Sequence, residues 1–118
     1  MNLSIEQRVA NGAAQLDKMI PGWENRIDLD ELDIRVGCRC IIGQLYLGYS
    51  RGKRFFPNNL RGDQAQHNLG LYSHSATEED QDHDYELLTG AWKAAIEVRL
   101  EANDDASQVA IERELETA

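Results

Sequence analysis

The chain has 118 residues, with 21 acidic against 12 basic side chains, a net charge of −9 and a pI of about 4.7. That length fits one domain, and a hydrophobic share of 42% supplies one modest core. No apolar run approaches the roughly 18 residues that span a bilayer. No basic segment leads into an apolar stretch at the N-terminus, as a secretory signal would require. Cys38 and Cys40 are the only cysteines and lie too close in sequence for an unstrained disulfide. The expectation is a protein of the reducing cytoplasm.

The first element is a helix from Ser4. Ser4 and Gln7 form a capping box, and Ile5, Val9, Ala13, Leu16 and Ile20 follow at helical spacing. Pro21 ends it, because proline disfavours helix in the residue before it and has no N–H to donate. Pro21-Gly22-Trp23 reads as a turn. Residues 26–36 read as an irregular, half-buried connection carrying Ile27, Leu29, Leu32 and Ile34, with room for one short strand at 33–35.

A second helix is expected over residues 38–49. Ile41, Ile42, Leu45, Tyr46 and Tyr49 cover more than one of its faces, so it should be central. Gly43 and Gly48 each cost roughly 1 kcal/mol against alanine inside a helix, which points to a close crossing by another helix. Ser50-Arg51-Gly52 ends it. Phe55-Phe56-Pro57 turns into a short helix over 60–68, closed by Gly70 in the left-handed region. After a polar stretch, the last strong helix begins between residues 77 and 84. Tyr85, Leu88, Trp92, Ile96 and Leu100 line its inner face, and Trp92 is the anchor of that face. Acidic residues crowd its N-terminus, where the helix dipole favours them. Asn103-Asp104-Asp105 is expected to break it. Residues 103–118 then form a weakly ordered or short helical tail through Val109, Ile111 and Leu115. The fold class is mainly α: a compact bundle of three to four helices over residues 1–102.

Charge is distributed in blocks. Residues 34–62 carry Arg35, Arg39, Arg51, Lys53, Arg54 and Arg61 and no acid; the segments on either side are net acidic. Oppositely charged blocks that face each other in the fold are the simpler reading. The sharper one is a bipolar surface that steers a charged partner. Its acidic pole would be Glu78, Glu79, Asp80, Asp82 and Asp84, and its basic loop Arg51, Lys53 and Arg54; the two are expected to lie apart, with the acidic pole taking the larger share of partner binding.

Little else carries chemistry. Cys38-Arg39-Cys40 lacks the paired spacing of a zinc site, and buried free cysteines are mostly small hydrophobes. Asp80-Gln81-Asp82-His83-Asp84 begins like a calcium loop, but Tyr85 stands where the glycine is needed and Ala91 where the bidentate acid is needed. His67, His74 and His83 sit in no hydrolase, phosphate-loop or metalloprotease pattern. No catalytic residue, metal or cofactor is therefore expected. Phe55 and Phe56 among basic residues could stack bases, but two core rings beside a solvated turn explain them as well, and the low pI argues against nucleic acid.

Some local runs resemble a known group. Pro21-Gly22-Trp23, Arg26-Ile27-Asp28-Leu29, Leu32-Asp33, Cys40-Ile41-Ile42-Gly43-Gln44-Leu45 and Leu88-Thr89 with Trp92 resemble small uncharacterised proteins of actinobacterial phages, the mycobacteriophage type. That resemblance implies a context, the cytoplasm of an infected bacterium, and no activity. The combined expectation is a non-enzymatic accessory protein that binds and modulates a host bacterial protein, in a defence or nucleic-acid-processing pathway. The alternative is a nucleic-acid-binding regulator using the basic 35–61 segment.

Overall fold

The computed structural model describes residues 3–74 and 77–117, with residues 103–117 as backbone only. It is mainly helical, and among the described residues there is no strand. Helix α1 spans Ile5–Met19, α2 Ile41–Tyr46, α3 Tyr49–Lys53, α4 Asp63–Asn68 and α5 Glu78–Thr117; single 3-10 turns lie at Trp23–Arg26 and Asn58–Leu60.

Helix α1 forms for the local reasons its sequence carries. The Ser4 hydroxyl accepts from the Gln7 N–H, and the Gln7 side chain accepts from the Ser4 N–H, both at 3.1 Å. Its Val9, Ala13 and Leu16 are buried against α5. Gly12 sits at the closest approach: a Cβ there would run into the Leu69 carbonyl and the Trp92 ring.

Trp92 is fully buried. Its indole N–H donates to the Gly70 carbonyl at 2.7 Å, and its ring meets Trp23 edge to face, centroids 5.7 Å apart. Trp23 is likewise fully buried and donates to Asp17 at 3.0 Å. Asp17 also takes both ends of Arg99, at 2.8 and 3.0 Å, which ties α1 to α5.

The connection 26–36 is irregular, and residues 33–35 form turns instead of the expected strand. The Asp28 and Asp33 carboxylates accept from the N–H groups two residues on, Asp30 and Arg35, and so supply local partners where a strand would need a neighbour. Gln44 fixes the same region from α2 by accepting from the Asp28 N–H at 2.7 Å and donating to the Arg39 carbonyl at 3.0 Å.

The helix expected over 38–49 is two short helices. Cys40 caps the first, and Leu47, in the left-handed region at φ 63°, ends it. Gly48 follows at φ 142°, so its glycine serves the turn and not a helix crossing. Gly43 packs against the 37–38 turn. The close crossing is at Gly52, where a Cβ would meet Ile42 and Tyr46 of α2. Ser50-Arg51-Gly52 lies inside α3 instead of ending a helix. The helix expected over 60–68 is likewise divided at Arg61-Gly62. Gly70 does take the left-handed conformation, φ 70°. Gln66, fully buried, ties these pieces together: it donates to the Leu60 carbonyl at 2.6 Å and accepts from the Tyr49 hydroxyl at 3.1 Å.

Helix α5 starts at Glu78, with the Thr77 hydroxyl accepting from the Asp80 N–H at 3.1 Å. It does not break at Asn103-Asp104-Asp105; it runs 40 residues, about 60 Å at 1.5 Å per residue. Asn and Asp each cost under about 0.7 kcal/mol in a helix, and no Gly or Pro follows Gly90 to stop it. The side chains of Val109, Ile111 and Leu115 lie outside the described residues.

Candidate binding surface

The two charged segments have different fates. In the acidic one, Glu78, Glu79 and Asp80 are exposed on the first turn of α5. Asp82 pairs with Arg35 at 2.8 Å, a half-exposed contact. Asp84 is taken inward. Its carboxylate accepts from both terminal nitrogens of Arg8, at 2.8 and 3.0 Å, with side-chain exposures of 15% for Asp84 and 4% for Arg8. Asp84 is therefore part of the interior and not of an exposed acidic pole, because it neutralises a cation that α1 buries.

Arg8 is the centre of a polar cluster joining α1, α4 and α5. Beyond Asp84, its Nε donates to the His67 carbonyl at 2.7 Å and its Nη2 to the Tyr72 carbonyl at 3.1 Å. The same Nη2 lies 3.2 Å from His67 Nδ1, which also accepts from the His74 N–H at 2.9 Å. Two donors on Nδ1 require a neutral ring with its proton on Nε2. Burial, then the Arg8 charge, holds the His67 pKa below its usual 6.5. For Asp84 burial pulls upward, but hydrogen bonds from Arg8 and Ser73 and the nearby positive charge outweigh it, and its pKa is lowered.

The sign of the pH dependence follows. A histidine whose pKa is depressed by folding gives its full stability above 6.5 and loses it as pH falls through the depressed value. Asp84 adds a second loss only below the usual carboxylate value of 3.8. Thermal melts should be flat from about pH 7 to about pH 8 and fall below about pH 6.5. In His67→Asn, an amide oxygen stands in for Nδ1 and takes up no proton, so the first fall should disappear. A wild-type melting temperature constant down to about pH 4.5 would contradict this assignment.

In the basic segment, Arg51 and Lys53 stand on α3 and Arg54 is its C-cap, so a short helix, not a loop, presents them. None of the three pairs with the α5 acids among the described residues; Lys53 lies 3.7 Å from Asp63. Arg61 braces the turn that follows, donating from Nε to the Phe56 carbonyl and from Nη2 to the Arg54 carbonyl, both at 2.8 Å. That turn sends its two phenylalanines in opposite directions. Phe56 is buried at 1%, whereas Phe55 is 62% exposed. Phe55 stacks on Tyr46, centroids 4.7 Å apart and planes 12° off parallel. Next to Tyr46 in sequence, Leu47 is 82% exposed. The expectation that both rings are core therefore fails for Phe55.

The cysteines do separate work. Cys40 is buried; its Sγ accepts from the Gly43 N–H at 3.2 Å as the α2 cap, and burial pushes its thiol pKa up. Cys38 is exposed. Among the described residues no three His, Cys, Asp or Glu side chains gather as a metal would need. Replacing Cys40 with alanine should cost about 1–2 kcal/mol through the lost cap. The same change at Cys38 should stay within about 0.5 kcal/mol. Urea titration checks both, and a larger loss at Cys38 than at Cys40 would reverse the assignment.

Other concavities offer less. An apolar groove of about 570 Å³ between α1 and α5 is lined largely by alanines, with Glu6 and Arg99 as its only charges. A mixed-charge cleft of about 510 Å³ lies around the Arg35–Asp82 pair. Among the described residues, no helix is long and apolar enough to cross a membrane. No family model matches the chain, and neither a curated protein nor a solved structure is similar to it.

Proposed function

We propose that the protein is a non-enzymatic binding protein that engages an anionic partner through the end formed by Tyr46, Leu47, Arg51, Arg54 and Phe55, within the bacterial cytoplasm its phage resemblance implies. One observation carries this reading: large apolar side chains stand exposed beside arginines that no carboxylate neutralises among the described residues. Exposed apolar groups rimmed by charge mark interaction surfaces. Leu47 adds to it as a further large apolar side chain, 82% exposed, next to Tyr46 in sequence. The acidic end supports binding less well, since Asp84 is spent inside and Asp82 on Arg35. Its partner is an anionic component of the host, so the basic end leads and the acidic end follows.

Affinity capture from bacterial lysate with three immobilised forms tests this. Wild type should retain a defined partner set. Arg54→Glu with Phe55→Asp should lose that set, while Glu78→Lys with Glu79→Lys and Asp80→Lys should keep it. Loss in the second variant alone would return the binding role to the acidic end.

A further inference from the structure

Resting on that reading, we infer that the cleft beside α3 seats a phosphate and that the anionic partner is single-stranded nucleic acid. The cleft holds about 340 Å³ and is lined by Tyr49, Ser50, Lys53, Arg54 and Arg61. Three cations and the Ser50 hydroxyl belong to residues of its lining, which includes no carboxylate, while the Tyr49 hydroxyl is already given to Gln66. The positive charge there is positioned before any ligand arrives. Arg61 is fixed by two backbone carbonyls at 2.8 Å, which hold the guanidinium in place without neutralising its charge. Lys53 is shared only loosely, 3.7 Å from Asp63 and 6.0 Å above the Tyr49 ring. One fixed arginine, two further cations and a serine hydroxyl are the chemistry that holds a phosphodiester.

The neighbouring residue selects the kind of phosphate. Arg54 lines the cleft and Phe55 follows it, with one ring face covered by Tyr46 at 4.7 Å. An exposed ring one residue along the chain from a phosphate seat offers a flat face to an unpaired base, and every base has such a face. A duplex keeps its bases stacked inside and offers nothing to Phe55. A free acidic peptide would use the cations but not the ring. The net charge of −9 does not oppose contact at this end, because charges beyond the Debye length, about 8 Å at physiological salt, are largely screened.

The test uses the full chain and a fluorescein-labelled oligothymidylate of about a dozen nucleotides, followed by anisotropy over a salt series, with a duplex of equal length in parallel. Wild type should prefer the single strand, with a log–log salt slope of about −0.7 for the one phosphate seated. Phe55→Ala should weaken binding roughly tenfold with the slope unchanged. Lys53→Ala with Arg54→Ala should remove most of that slope and weaken binding at low salt. Circular dichroism melts of each variant separate lost binding from lost folding. No binding at low salt, equal affinity for duplex, or indifference to both variants would overturn the inference. If oligothymidylate fails but a captured host protein is lost in Arg54→Glu with Phe55→Asp, the ligand class is wrong and the binding end stands. If that capture is indifferent as well, both readings fall.

Discussion

Asp84→Asn is expected to destabilise the protein by about 3–5 kcal/mol, the usual cost of removing one partner from a buried ion pair. The size comes from what remains. Arg8 stays charged, its side chain is 4% exposed, and its other donors face the carbonyls of His67 and Tyr72. Neither carbonyl neutralises the guanidinium, and water has little access to it. The pair itself is worth far less than this loss, because bringing both ions out of water offsets most of their attraction. Arg8→Met combined with Asp84→Leu should therefore recover much of the stability. Chemical denaturation of the two single variants and the double variant measures this directly. A loss under about 1 kcal/mol in Asp84→Asn would mean that Arg8 reaches solvent and that Asp84 belongs to the exposed acidic group after all.

Trp92→Ala should cost a similar amount, about 3–5 kcal/mol, through the cavity it leaves. The indole is fully buried, it fills the space Gly12 leaves open on α1, and its edge packs on Trp23. Its N–H holds the Gly70 carbonyl at 2.7 Å, where the chain leaves α4 in a left-handed turn. Trp92→Phe should fall between wild type and alanine, because it keeps most of the ring volume but leaves that carbonyl without its donor. Near-UV circular dichroism should lose intensity in both variants as the Trp23–Trp92 contact goes. A melting temperature unchanged in Trp92→Ala would contradict this packing.

The parts of the fold legible in sequence are those with local causes. The Ser4–Gln7 box, the apolar stripe of α1, the left-handed Gly70 and the inner face of α5 depend on neighbours within a turn or two. The division of α2 from α3 was hidden because apolar residues continue at helical spacing through Tyr46 and Tyr49, while the chain turns at Leu47 and Gly48. Gly48 was the available sign, since glycine after a helix more often closes it than lets another helix approach. The continuation of α5 through Asn103-Asp104-Asp105 was misread because weak propensity resembles a stop when no glycine or proline is present to impose one.

The proposed binding end was half legible. Its cations were visible as a charge block, but which ones remain unpaired depends on contacts across the fold. Arg8 shows the same limit. It follows Gln7 on a helix that looks amphipathic, and its carboxylate partner is 76 residues away. No local pattern marks an arginine for burial at that range. The acidic pole consequently lost Asp84, and the exposed ring that most distinguishes the basic end, Phe55, emerged only from the direction of the 54–56 turn.

The proposed interface is tested most directly by amide hydrogen exchange on the full chain, alone and in the presence of whatever partner the lysate capture retains. Protection should increase over residues 46–56, around Arg54 and Phe55, and stay unchanged over residues 78–82 at the start of α5. Protection confined to the start of α5, with residues 46–56 exchanging as in the free protein, would contradict the account.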